Sequence, residues 1–174
     1  MNTNAIALRD ATPPDVETVR RVAAAAWRDT YAGLLKPSTI ESFVDAAYSL
    51  SALERRIEAD TFLIAELDGR LASFADATLD GDRVNLAAIY ADPALRGRGT
   101  GSLLLAVLRS RFPRLPIVAD VLVGNRKGEI FYERRGFQPR ERLEGELFGE
   151  RVVERRWWLD PVEAQGPGDG AEDH

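Results

Sequence analysis

The chain has 174 residues, 45% of them hydrophobic and 29% charged, which fits one domain able to bury its own core without staples. It has no cysteine, and its one histidine is His174 at the last position. Disulfides, thiolate catalysis and cysteine zinc sites are therefore excluded, and histidine triads or metal sites would need that terminal residue to fold back. The formal charge of −5 weighs only slightly against nucleic acid as a partner and would favour a cationic substrate, although a mildly acidic surface is the commoner explanation, and no apolar run approaches the roughly 20 residues of a membrane span.

In chain order, Met1–Asp10 lacks a basic segment followed by an apolar one, so a cytoplasmic protein is expected, and Ile6–Leu8 is a short strand candidate. Thr12, Pro13, Pro14 and Asp15 read as a helix start: a threonine cap, proline at the first helical position and an acid three residues after the cap. Val16, Val19, Ala23, Ala26 and Trp27 then recur on one helical face, predicting a helix to about Asp29 or Tyr31. Gly33 and Pro37 break it. A second helix opens at Ser38–Thr39 with Ile40, Phe43, Val44 and Ala47 inward, and Ser51–Glu54 has the spacing of a capping box for a third, carrying Leu53 and Ile57.

The pattern then changes to strands. Thr61–Leu67 and Arg70–Ala75 flank Asp68–Gly69, a strong two-residue hairpin signal, and Asp80–Asp82 turns the chain into the strand Val84–Tyr90. A helix ending near Phe112 leads through Pro113–Pro116 to the apolar strand Ile117–Val123. A helical crossover between two strands implies that they run parallel. Gly136 reads as a helix C-cap, Gly145 and Gly149 as turn glycines, and Val152–Leu159 as the last strand of a hairpin. From 161 to 174, proline, glycine and acids replace apolar residues, which predicts a disordered acidic tail behind a domain spanning 1–160.

The most informative stretch is Leu95–Gly101, running straight into the apolar segment Ser102–Leu108. A glycine-rich loop entering a helix leaves several backbone N–H groups unpaired where the helix dipole favours negative charge, so the stretch suits phosphate. Gly97, Gly99 and Gly101 let the backbone approach a pyrophosphate, and Arg96 and Arg98 add charge. The dinucleotide fingerprint G-x-G-x-x-G fails because position 102 is Ser102, and the Gly-Lys-Ser/Thr ending of a P-loop is absent.

The spacing R-x-x-G-x-G is present at Arg96, Gly99 and Gly101, behind the strand end Ile89–Pro93. A second motif, N-x-x-A-x-x-x-Y-x-x-x-G-F, is matched at Asn125, Tyr132, Gly136 and Phe137, with Gly128 standing where alanine is usual. Together they resemble the acyl-CoA-binding and following signatures of the GCN5-related N-acetyltransferase (GNAT) family. The run from Trp27 to Ala65 is also loosely similar to the small bacterial polyamine N-acetyltransferases. The resemblance implies an α/β (α+β) fold: one central, mixed, mostly antiparallel twisted sheet with flanking helices and two splayed parallel strands. The acyl chain would lie in the gap between those two strands.

By the same resemblance the protein transfers an acetyl group from acetyl-CoA, its co-substrate, to a primary amine, with no metal. Ile89, Tyr90 and Ala91 would hold the pantetheine and thioester carbonyl, Arg96 to Ser102 (with Gly97, Arg98, Gly99, Thr100 and Gly101 between) the pyrophosphate, and Asn125 the pantetheine arm. Tyr132 would protonate the leaving sulfur, which suits a hydroxyl that titrates near about 10 and so keeps its proton at neutral pH. Trp27 and Tyr31, four apart on one helical face, are candidates for the acceptor pocket, Trp27 having an alternative place in the core. Many family members carry a glutamate on the strand before the loop, but Asn85–Ala88 holds no acid. Proton removal would fall to a water chain or to an acid such as Glu41 or Asp45, and an acyl-CoA-binding sensor with little turnover, or a peptide N-acetyltransferase, are the alternatives. The expected partner is a small amine, with no nucleic acid or membrane, acting on a monomer or homodimer.

Overall fold

A computed structural model describes residues 5–162, so the expected tail beyond Val162 lies outside the described residues. The elements follow in the order β1 (Ile6–Asp10), α1 (Val16–Tyr31), α2 (Pro37–Ala47), α3 (Leu50–Ala59), β2 (Thr61–Leu67), β3 (Arg70–Asp80), β4 (Arg83–Ala91), α4 (Thr100–Arg111), β5 (Ile117–Leu122), α5 (Arg126–Arg134), β6 (Gln138–Leu147) and β7 (Glu150–Leu159). They form one seven-stranded sheet, β1-β2-β3-β4-β5-β7-β6, antiparallel throughout except between β4 and β5.

Local chemistry accounts for most boundaries. Asp15 accepts from the Thr12 N–H at 2.7 Å, closing the expected box, although it opens a single 3-10 turn, Pro13–Asp15, that leads into α1. The α3 cap is Ser49 rather than Ser51: its hydroxyl accepts from the Ala52 N–H at 3.2 Å, because Ser49 is the last residue with extended backbone. Asp68 and Gly69 both have positive φ, as a turn matching the strand twist requires. Gly145 is not a turn residue. It sits inside β6 opposite Val152, and Phe148–Gly149 makes the reversal.

Two apolar layers cover the sheet. One joins α1, α2 and α3 to Phe62, Ile64, Phe74 and Ala88; the other joins α4 and α5 to Leu63, Leu86, Ile117 and Trp157. Strand β4 serves both through a bulge. Asp76 lies opposite Ala88 and Ala77 opposite Leu86, so Ala87 is the extra residue, and the alternation inverts across it. Leu86 faces α4, whereas Ala88 and Tyr90 face α1. Among the described residues β4 has no partner on its β5 side beyond the bulge: the two strands pair at Val84–Ile117 and Asn85–Val118. Strand β5 continues along β7 as far as Leu122–Glu154, so the sheet opens into a wedge.

Candidate active site

The wedge is a cleft of about 390 Å³, closed by the glycine loop at one end and bordered by α5 and the end of α1. Ile89, Tyr90 and Ala91 line it from β4, Arg96, Gly97 and Gly99 from the loop, and Thr100, Gly101 and Ser102 from the start of α4. Tyr31, Asn125 and Tyr132 complete the set, so one cavity gathers twelve of the fourteen residues singled out in the sequence. The two it does not gather are Arg98, which is exposed, and Trp27. The Trp27 ring is stacked on Phe43 at 3.8 Å between centroids, buried in the core behind Tyr31. Both residues share one face of α1, and what separates them is position along it: Trp27 sits a turn inside the helix against the core, while Tyr31 at the helix end reaches the cleft.

The loop is arranged as an anion site. Asp92 is buried, accepts from the Ala94 N–H at 3.0 Å and donates its own N–H to the Ala72 carbonyl, which fixes where the chain leaves β4. The first intrahelical bond of α4 runs from Leu103 to Gly99, so the N–H groups of Thr100, Gly101 and Ser102 precede it. Gly99 caps the helix with φ of 77°, in the left-handed region. Gly101 is glycine for another reason: a Cβ there would stand 3.2 Å from the Phe131 ring. The expected charge of Arg96 is partly spent, because its guanidinium binds Asp29 on α1.

The cleft also holds cations that no motif in the sequence marks. Arg135 lies 3.6 Å from the Phe131 ring centroid and donates to the Ser102 hydroxyl at 3.0 Å. With Arg134 and Lys127, which also line the cleft, it supplies positive charge beside the free N–H groups. Only the adjacency of α5 and α4 shows this, since Arg135 and Ser102 are 33 positions apart.

Asn125 caps α5: its Oδ1 accepts from the Gly128 N–H at 3.1 Å, leaving the NH2 group for a ligand. A Cβ at Gly128 would fall 2.7 Å from Asn125 Nδ2, so glycine at this departure from the family pattern goes with the Asn125 rotamer. Tyr132 packs edge-on to Phe131 and Phe137, and its hydroxyl has no hydrogen-bond partner among the described residues. Burial pushes that hydroxyl well above its ordinary pKa, so it keeps its proton. On the other wall the Tyr31 and Tyr90 hydroxyls bond to each other at 2.8 Å, and burial raises both. The Ser73 hydroxyl, fully buried at the cleft wall opposite Ala91, is likewise unpaired among the described residues. Ala87 is exposed into the cleft with no acid on it, and neither Glu41, held by Arg28 at 2.7 Å, nor exposed Asp45 lines the cavity.

These features fit coenzyme A: free N–H groups and cations for phosphate, a gap between strands for the pantetheine, and the unpaired Tyr132 and Ser73 hydroxyls on its walls. No group of three or more His, Cys, Asp or Glu residues among the described residues could hold a metal ion, and no helix there is long and apolar enough to cross a membrane. The class so defined is an acyltransferase whose donor is a nucleotide thioester.

Residues 58–139 match the family model of the acetyltransferase (GNAT) domain. The chain is 27% identical over 142 residues to spermidine N(1)-acetyltransferase of Thermoplasma acidophilum, covering 76% of this chain and 88% of that protein. The crystal structure of the PaiA N-acetyltransferase of T. acidophilum in complex with coenzyme A superposes with a TM-score of 0.75 at 25% identity, covering 87% of this chain and 98% of that one. A GCN5-related N-acetyltransferase of Rhodopseudomonas palustris superposes with a TM-score of 0.77 at 22% identity, covering 92% and 98%. Residues 58–139 thus match the GNAT acetyltransferase domain, and these similarities together support an acetyl-CoA-dependent N-acetyltransferase.

The loop assignment has a direct test. Gly99→Val should weaken CoA binding about tenfold or more in a calorimetric titration, since a β-branched residue is a real outlier at positive φ and forcing it there costs roughly 1–2 kcal/mol. Gly99→Asn, which tolerates that region, should retain most of the affinity; equal binding by all three proteins would remove the loop from the site.

Proposed function

We propose that the protein acetylates a primary amine of a small, cationic, polyamine-like acceptor by direct attack with both substrates bound, and that residues 1–160 form the catalytic domain. The observation that carries this reading is that one cleft holds both halves of the chemistry. The N–H groups of the glycine loop and the Tyr132 hydroxyl lie on its α4–α5 side, and Tyr31 and Asp120 lie on its α1 side. Asp120 is paired with Arg156, and the neighbouring groove at the α1–α2 connection carries Glu41 and Glu150 beside Arg28 and Lys36, so the cationic acceptor is inferred from the formal charge of −5 together with the similarity that follows. The similarity to a spermidine acetyltransferase supports the same class.

Acetyl-CoA supplies a thioester carbonyl for the amine to attack and a thiolate to leave. Backbone groups around Ile89 and Ala91, beside the bulge, hold that carbonyl, and the Asn125 NH2 group orients the arm. Tyr132 donates a proton to the departing sulfur. Every residue named comes from one chain, so the reading serves a monomer or a homodimer, and since acetyl-CoA is an intracellular metabolite we place the reaction in the cytoplasm. Free-thiol release from acetyl-CoA, measured across spermidine, spermine, N-terminal peptides and aminoglycosides against a no-acceptor blank, tests it. Release with the polyamines is expected. Release with peptides alone would make it a peptide N-acetyltransferase, and release no faster than the blank, with CoA still binding, would make it an acyl-CoA sensor.

A further inference from the structure

Ala87 leaves the cleft without an acid on β4, yet an ammonium must lose a proton before its nitrogen can attack. Strand β7 turns Glu150, Val152, Glu154 and Arg156 toward the side of the sheet that α1 and α2 cover. Three of the four have partners there. Glu150 accepts from the Lys36 N–H at 2.9 Å, Val152 packs against the α1–α3 core, and Arg156 holds Asp120 with two bonds of 2.7 and 2.9 Å. Glu154 is half-buried, with no hydrogen-bond or ion-pair partner among the described residues, and stands just outside the lining of the cleft, near Asp120 and Tyr31, which do line it. It lies opposite Leu122, at the end of β5 where the strands have splayed, and opposite Leu143 on β6. Leu122 packs in the same apolar cluster as Tyr31, and Asp120, two residues before it, lines the cleft.

We propose that Glu154 is the general base that deprotonates the acceptor, which enters from the α1–α2 side between Tyr31 and β7. A carboxylate left half-buried and unpaired is costly in a fold that pairs its neighbours, and a proton to collect gives it a use. Burial and the nearby Asp120 push the Glu154 carboxyl above its ordinary pKa, which brings it nearer to the task, while Arg156 opposes them. Those two and Tyr31, where the charge of Glu154 is felt, are the titratable groups facing it from β5, β7 and α1; from β6 it meets Leu143. The ammonium gives one proton to Glu154, the nitrogen lone pair forms the C–N bond, and the C–S bond breaks. Tyr132 protonates the thiolate and recovers the second nitrogen proton, and the proton on Glu154 passes to solvent, so the sum is amide, free thiol and one proton.

The inference rests on the amine-acetylation reading, and its test separates the two. With spermidine, Glu154→Gln should lower kcat/KM about 10²-fold or more near pH 7, abolish the rise of activity with pH that deprotonation of a carboxyl produces, and recover as free amine accumulates at high pH. CoA affinity should be unchanged. If the Gln variant does not fold, Glu154→Asp should lower kcat with KM kept, because the carboxylate is withdrawn by one methylene; wild-type kcat would overturn the role. A readout independent of turnover is ¹³C NMR of glutamate carboxyls in the CoA-free protein. One should titrate above the usual range near about 4.3 and vanish in Glu154→Gln. No such carboxyl, or a wild-type pH profile in the Gln variant, overturns the proposal while leaving the function intact. A wild-type protein that acetylates no amine overturns both.

Discussion

Tyr132→Phe is expected to lower kcat by about 10²-fold or more while leaving CoA affinity and thermal stability close to wild type. The two halves of that outcome have separate structural causes. The ring does the packing, edge-on to Phe131 and Phe137 at 5.2 and 4.9 Å between centroids, and phenylalanine keeps it. The hydroxyl has no partner among the described residues, so removing it leaves no buried donor or acceptor stranded. What is lost is a proton source held firmly protonated by burial, in the cleft where a thiolate must leave. Pre-steady-state thiol release with saturating spermidine measures the step directly. An unchanged kcat would remove Tyr132 as the acid and pass the role to solvent or to another hydroxyl on the walls of the cleft.

Arg56→Met is expected to cost about 3–5 kcal/mol of folding stability, a large share of what holds a single domain folded. Asp76 is 1% exposed on β3, and Arg56 from α3 donates to it at 2.8 Å, bonds the Ala47 carbonyl at the end of α2, and lies 5.0 Å from the Tyr48 ring centroid. One guanidinium therefore ties α2 and α3 to the strand that pairs with the β4 bulge. Its removal strands a carboxylate in the apolar layer, whereas Arg56→Met with Asp76→Leu should recover much of the loss. The pH dependence has a definite sign. Burial raises the Asp76 carboxyl to about 6 against 3.8 for an ordinary one, despite Arg56. The folded state thus binds more protons between those values, and wild-type stability declines as pH rises through that window. Without the guanidinium the carboxyl rises further, so denaturation with urea should show a larger deficit at pH 8 than at pH 5. An equal deficit at both would mean that lost packing, not stranded charge, is the cause.

Most of the architecture and much of the site were legible in the residues themselves. Hairpins announced by Asp68–Gly69, the Thr12–Asp15 box and the helix-periodic segments are local: each depends on neighbours within a few positions, where turn chemistry and periodicity act. The glycine loop was readable for the same reason, since a loop and the helix it caps are contiguous, whereas Asn125 and Tyr132, seven residues apart, stood out only through the resemblance to the GNAT motif. Boundaries shifted where two caps competed, as at Ser49 and Ser51, and where a glycine inside a paired strand resembled a turn, as at Gly145.

Tertiary structure decided the rest, through contacts between segments far apart in the chain. No local pattern places Arg135 on Ser102, spends Arg96 on Asp29, or buries Trp27 behind Phe43 while Tyr31 reaches the cleft. The bulge at Ala87 follows from register against β3, which a single strand does not encode. Glu154 was invisible for the same reason: in sequence it is one acid among the charges of Arg151–Arg156, and only its half-buried place opposite Leu122, beside an Asp120 already paired, makes it the carboxylate left to act. Sequence alone pointed to a phosphate-bearing ligand, because phosphate recognition is written in contiguous backbone, and the resemblance to the GNAT family made that ligand acetyl-CoA. The base and the acceptor wall belong to the fold, because their charges are defined by what long-range packing leaves unpaired.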